Sequence, residues 1–168
     1  MAGLILGKAA IFGKENATFT RDYGPEARGG SCRADIVISD GPISYPYVEN
    51  PEVVVAMSQE AYTKYATGLG KNVTLIIDEE LVKPDAAVGQ GFFAIPATRI
   101  AQELGRSAVA NIVMLGFVSA VTGIIPVEVM KKAVLDSVPK GTEALNTKAF
   151  DSGYSRGQEQ VAARRKSR

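Results

Sequence analysis

The sequence predicts an α/β protein: a three-layer α/β/α domain with a largely parallel central sheet and a helical C-terminal part. Three observations lead there. The short apolar runs VVVAM (53–57), NVTLIID (72–78) and FFAIP (92–96) have the length and composition of strands covered on both faces. Helix-period segments alternate with them, which favours parallel strands joined by crossovers. After residue 106 the strand signals stop and helical patterns take over.

Taken in order, Leu4, Ile5, Ala9 and Phe12 stand at helical spacing, with Gly13 near a stop. ATFTRDY is short and β-prone. In RADIVIS, Ala34, Ile36 and Ile38 share one face and Arg33 and Asp35 the other, as in a half-buried strand. DGPISYPYVENPE is a turn-rich connection. After VVVAM, Ser58 is placed to cap a helix through QEAYTKYATGL, with Glu60 too close for a full capping box. A helix is expected in ATRIAQELG. Ser107 opens a helix apolar nearly all round, which must be buried, and Gly123 ends it. Pro126 starts another, with Val127, Met130, Val134 and Val138 on one stripe and a Glu128–Lys132 pair outside. The last helix is expected from about Thr142 into the late 150s, weakened by Gly153 and Gly157. Residues 1–157 read as one domain and 158–168, ending in AARRKSR, as a frayed basic tail.

Composition excludes several function classes. The chain of 168 residues has one cysteine and no histidine. No intrachain disulfide, zinc site or iron–sulfur site of ordinary ligand count can be built from it alone, nor any Ser-His-Asp or Cys-His pair. Its net charge of +1 gives no ground for nucleic acid or an acidic membrane surface as partner. The longest apolar stretch, AVANIVMLGFVSAVTGII, carries Asn, Ser, Thr and Gly and reads as a buried helix rather than a membrane span. MAGLILGKAA lacks the basic start of a signal peptide, so a cytoplasmic location is expected.

No G-x-G-x-x-G or Walker loop follows a strand. Glu79-Glu80 reads as a solvated loop, and Asn111 as a polar residue inside an apolar helix, satisfied by backbone or turned to a ligand. Cys32 reads as a small packed residue. The densest segment is RDYGPEARGGSC (21–32): glycines that let a backbone come close, and Arg28 with a planar fork for carboxylate or phosphate. From chemistry alone, a surface turn and an anion- or carboxylate-docking loop are equally compatible with it. A stand-alone anion- or nucleotide-binding module therefore stays open at this level.

The order of the pieces goes further. TRDYGPEARGGSCRADIVISDGPISYP, VVVAMSQEAYTKY, IPATRIAQELG, ANIVMLGFVSAVTGIIPVEVMKKAV and NTKAFDSGY together resemble the gamma subunits of 2-oxoacid:ferredoxin oxidoreductases, over nearly the whole chain. The 2-oxoglutarate type is the most similar, with pyruvate and branched-chain types close behind. The resemblance implies a gamma subunit, inactive alone, in an enzyme that converts a 2-oxoacid to an acyl-CoA and passes electrons to ferredoxin. It implies thiamine diphosphate and iron–sulfur clusters on partner alpha, beta and, where present, ferredoxin-like delta subunits, with CoA as co-substrate. It assigns the CoA side of the active site to this domain. The residues it carries over are Tyr23, Gly24, Arg28, Gly29, Gly30 and Asn111. One departure stands: the family pattern puts a strand and a Gly-Gly-Gln-Gly-type turn before a helix like AGLILGKAA, and this sequence starts at the helix.

Overall fold

A computed structural model describes residues 1–23, 32–66, 68–70, 72–85 and 91–166. Helix α1 (Ala2–Phe12) leads into an antiparallel ribbon, β1 (Asn16–Tyr23) and β2 (Cys32–Ser39). Then come β3 (Val53–Ala56), α2 (Gln59–Tyr65), β4 (Thr74–Asp78), β5 (Phe92–Ile95) and α3 (Ala97–Glu103). A 3-10 turn (Ser107–Val109) enters α4 (Ala110–Thr122), followed by α5 (Val127–Leu135) and α6 (Glu143–Lys166).

The parallel sheet has three strands in the order β3-β4-β5, in register Val53↔Thr74 and Leu75↔Phe92. Its two faces bury different sets of residues, because successive side chains of a strand alternate. Val54, Ala56, Leu75 and Ile77 meet Tyr62 and Ala66 around α2. Ile76, Ile95, Val53 and Phe93 meet the larger core built from α1, α3, α4, α5 and α6. The expected three layers are therefore present, but β3 is covered less than expected. It ends the strand order, and Val55 in its middle is 40% exposed.

The ribbon is a separate two-stranded sheet, paired Asn16↔Ser39 through Tyr23↔Cys32. It holds the expected faces. Ala34 and Ile36 turn to α1, where Gly3 lets the helix approach: a Cβ there would stand 2.9 Å from the Ala34 Cβ and 3.1 Å from Phe19. On the other face Arg33 donates to both oxygens of Asp35 at 2.7 Å and lies over the Tyr65 ring of α2, 4.9 Å from its centroid.

Ser58 caps α2 as expected, its hydroxyl accepting from Ala61 N at 3.1 Å. Gly123, at φ +62°, ends α4. Met130 and Val134 of α5 are buried on the expected stripe. The Glu128–Lys132 pair does not form. Lys132 instead lies over the Phe12 ring, and Lys131 bonds Asp151 of α6 at 2.8 Å.

The last helix departs most from its reading. It runs unbroken through Lys166, past the expected stop, so 158–166 is not a frayed tail. Gly153 and Gly157 do not weaken it there, because they face α4. A Cβ on Gly153 would stand 2.8 Å from the Val113 carbonyl carbon, and one on Gly157 2.6 Å from the Ala120 Cβ. Across the seam, a Cβ on Gly116 would stand 2.9 Å from the Phe150 carbonyl carbon. The three glycines let two backbones touch, and this packing offsets their poor helix propensity.

Candidate functional site

The ribbon delivers the glycine-rich segment. Tyr23 ends β1 directly opposite Cys32, which begins β2, so residues 24–31 link the two paired strand ends. Gly24, Arg28, Gly29 and Gly30 lie outside the described residues, as does the Tyr23 side chain. Cys32 was expected to be packed; it is an exposed thiol. The ribbon is held from two sides, by α1 at Gly3 and by Arg33 on Tyr65. Its hydrogen bonds to Asp35 hold the Arg33 guanidinium above its ordinary pKa, so this tether stays charged at every working pH.

Asn111 sits in the first turn of α4, partly buried. Its Oδ1 is buried without a hydrogen-bond partner among the described residues. An acceptor left in that state costs about 1–3 kcal/mol, and an N–H or O–H arriving from outside the chain would recover it. Ser119 Oγ, deeper in α4, is also unpartnered. Asn146 stands in α6. It is buried, and its amide donates to Thr142 O at 2.9 Å and Thr142 Oγ1 at 3.0 Å, closing the first turn of α6.

Sequence reasoning missed Asp78. This fully buried carboxylate ends β4. It accepts from Thr98 Oγ1 at 2.7 Å, Thr98 N at 2.9 Å and Glu80 N at 3.1 Å. The acid at the end of an apolar strand and the Pro-Ala-Thr after the next strand were legible separately, but their meeting needs the parallel register. With three donors satisfied, Asp78 fixes the strand ends and is not available as a base. Glu79 and Glu80 pair with Arg99 at 3.9 and 3.1 Å, a surface network rather than a dyad.

Apolar side chains are exposed nearby. On α1, Leu4 and Ile11 point out, two turns apart, at 52% and 59% exposure. Tyr45 and Tyr47, in the loop after the ribbon, stand with ring centroids 5.6 Å apart, both more than half exposed. Among the described residues no cluster of His, Cys, Asp or Glu could hold a metal ion, and no helix is long and apolar enough to cross a membrane.

A family model described as pyruvate ferredoxin/flavodoxin oxidoreductase matches residues 1–156. The chain is 47% identical to the 2-oxoglutarate synthase subunit KorC of Methanocaldococcus jannaschii over 158 residues, 92% of this chain and 84% of that one. Its fold matches the gamma subunit of a keto/oxoacid ferredoxin oxidoreductase from Geobacter sulfurreducens, with a TM-score of 0.77 at 35% identity, covering 93% of this chain and 89% of that one. It also matches a 2-oxoglutarate:ferredoxin oxidoreductase from Magnetococcus marinus, solved with 2-oxoglutarate, coenzyme A and succinyl-CoA, with a TM-score of 0.83 at 21% identity. That match covers 94% of this chain but 28% of the other, so the same fold occurs inside a longer polypeptide. The chain belongs to the pyruvate ferredoxin/flavodoxin oxidoreductase family, as a gamma-type subunit.

Proposed function

We propose that the chain is the gamma subunit of a 2-oxoglutarate:ferredoxin oxidoreductase, forming the CoA side of the active site while other subunits carry the redox chemistry. The observation that carries this is the 47% identity to KorC along nearly the whole chain. The donor set agrees. One exposed cysteine and no histidine do not fit an iron–sulfur cluster, so electron transfer belongs to partner chains. Thiamine diphosphate is likewise assigned to the partner alpha and beta subunits, and a delta subunit or ferredoxin receives the electrons.

The role left to this chain is binding and positioning. Arg28 offers a fork to a CoA phosphate or to a partner carboxylate, and Gly24, Gly29 and Gly30 allow close backbone approach. Tyr23 adds an amphipathic contact, and Asn111 a buried acceptor without a partner among the described residues. The outward Leu4 and Ile11 and the Tyr45–Tyr47 pair suit a surface that a partner covers.

The test is reconstitution. The chain is co-expressed with the other subunits of its enzyme, and viologen reduction is measured with 2-oxoglutarate, pyruvate and 2-oxoisovalerate, with and without CoA. CoA-dependent turnover specific to 2-oxoglutarate is expected. Turnover on pyruvate or 2-oxoisovalerate alone would reassign the substrate type. An active complex with the same CoA dependence when this chain is omitted would overturn the role.

A further inference from the structure

We propose that the outer face of α5 is a contact between two copies of the chain, closed by α5 of the second copy running antiparallel to it about a two-fold axis. From Val127 to Asp136 the exposed residues are Glu128, Lys132, Leu135 and Asp136. They stand at i, i+4, i+7 and i+8, so they form one stripe along the helix. The opposite side, with Met130, Ala133 and Val134, is buried. Together with Lys131 the four exposed residues line an open groove.

Two charges of this stripe stand without counter-ions. Glu128 and Lys132 are one turn apart and opposite in sign, a spacing that favours an ion pair within the helix. None forms, and among the described residues neither side chain pairs with any other charge. The charges around them are taken: Asp136 binds Lys8 of α1, and Lys131 binds Asp151 of α6 at 2.8 Å. Lys132 lies over the Phe12 ring, 5.0 Å from its centroid. An ammonium placed there still has N–H donors to give a carboxylate.

The order of the charges names the occupant. Acid then base along one helix becomes base then acid along an antiparallel copy. A two-fold axis at the level of Met130 therefore sets Glu128 against Lys132 of the second copy and Lys132 against Glu128 of that copy, both at once. The same axis brings the end that carries Leu135 against the end that follows Ile124, and both of these apolar residues are exposed. A parallel pairing in register would instead set acid on acid and base on base. A contact built on a helix of nine residues is smaller than a standard interface, so the association of the chain alone is weak and sensitive to salt.

The test is sedimentation of the whole chain over a concentration series at low and high salt. The parent should self-associate, and salt should weaken the association. Glu128→Lys surrounds the axis with ammonium groups only, and Lys132→Glu with carboxylates only. Each should weaken self-association at least about tenfold. Mixed in equal amounts, the two variants should associate at least as tightly as the parent, because each then meets its opposite. Arg156→Glu, on the exposed side of α6, should behave as the parent. A parent that stays monomeric throughout would overturn the proposal and leave the face to a different chain. So would self-association that neither substitution weakens, or variants that remain apart when mixed. Should a variant not fold, carbodiimide cross-linking of the parent, mixed from unlabelled and isotope-labelled chains, decides instead. It should join Glu128 of one copy to Lys132 of the other, and the absence of that link between copies would equally overturn the idea.

Discussion

Replacing Gly153 with alanine adds one methyl group to the α4–α6 seam and should be among the most damaging small substitutions in the chain. The new Cβ would stand 2.8 Å from the Val113 carbonyl carbon and 3.0 Å from the Phe117 nitrogen, both backbone atoms that cannot swing aside. Carbon atoms pack best at about 3.5–4.0 Å, so α6 must retreat by roughly 1 Å. That retreat also loosens Phe150 and Phe117, both fully buried. Overpacking of this kind costs about 1–3 kcal/mol, occasionally more, and loosened aromatic packing adds to it. Alanine returns about 1 kcal/mol of helix propensity. The net expectation is a loss of about 2–3 kcal/mol. For a chain of this size that lowers Tm by roughly 4–12 °C. Calorimetry on Gly153→Ala, with Ser155→Ala on the exposed side of the same turn as control, measures it. Ser155→Ala should lie within about 0.5 kcal/mol of the parent. A Gly153→Ala protein that melts with its parent or above it would show that the two backbones are not in contact and refute the reasoning.

The remaining predictions concern the charges and the assembled enzyme. Asp78→Asn should destabilise the chain by about 1.5–3 kcal/mol, the worth of a hydrogen bond to a charged group, read from denaturant midpoints. Thr98→Val should lose less, because Glu80 N still reaches the carboxylate. The hydrogen bond to Asp151 is the main cause holding the Lys131 ammonium above its ordinary pKa. Its contribution is therefore fully present below the unfolded value of about 10.4 and is lost as pH rises through the higher folded value. Lys131→Met should remove that alkaline slope from a stability-versus-pH curve. The purified chain alone should show no 2-oxoacid oxidation with any electron acceptor, and turnover confirmed free of other subunits by mass spectrometry would contradict the subunit reading. Arg28→Ala should leave the melt within about 0.5 kcal/mol of the parent yet weaken CoA use or subunit docking by about 1.5–3 kcal/mol. Arg28→Lys should recover only part, for want of the planar fork. A large stability loss with unaltered CoA dependence and assembly would make Arg28 a structural turn residue.

Local patterns were legible where local physics decides them. The apolar runs became strands, Ser58 became a cap, and Gly123 became the left-handed stop of α4. What escaped depends on partners distant in sequence. Gly153 and Gly157 look like helix breakers until α4 lies against them. The tail looks frayed until Gln160 and Arg164 find β5, more than sixty residues away in the chain. Asp78 looks like an ordinary acid at a strand end until the parallel register brings Thr98 to it. For the candidate site the sequence singled out residues 21–32 and Asn111. It did not anticipate that Asn111 would keep a buried acceptor without a partner.

The way the ribbon is held bears on what kind of site this chain can make. β1 and β2 form no ladder with the parallel sheet. Their position rests instead on α1 at Gly3 and on the Arg33–Tyr65 contact with α2. A segment meant to line a cleft of its own domain would gain from continuity with the sheet, whose strand ends at Asp78 and Pro96 are already occupied by a satisfied hydrogen-bond network. A segment meant to meet another chain needs the reverse: a two-stranded ribbon braced by helices rather than by the sheet, as β1 and β2 are. The exposed apolar residues of α1, the helix that braces this ribbon, place coverable surface beside it. Under the proposed function, CoA and a partner subunit are then not competing occupants of YGPEARGG. Under the proposed function, in which Arg28 meets CoA with a partner subunit as the opposite wall, Arg28→Ala should show a larger defect in the complex at limiting CoA than at saturating CoA. Equal defects at both would assign Arg28 to docking alone.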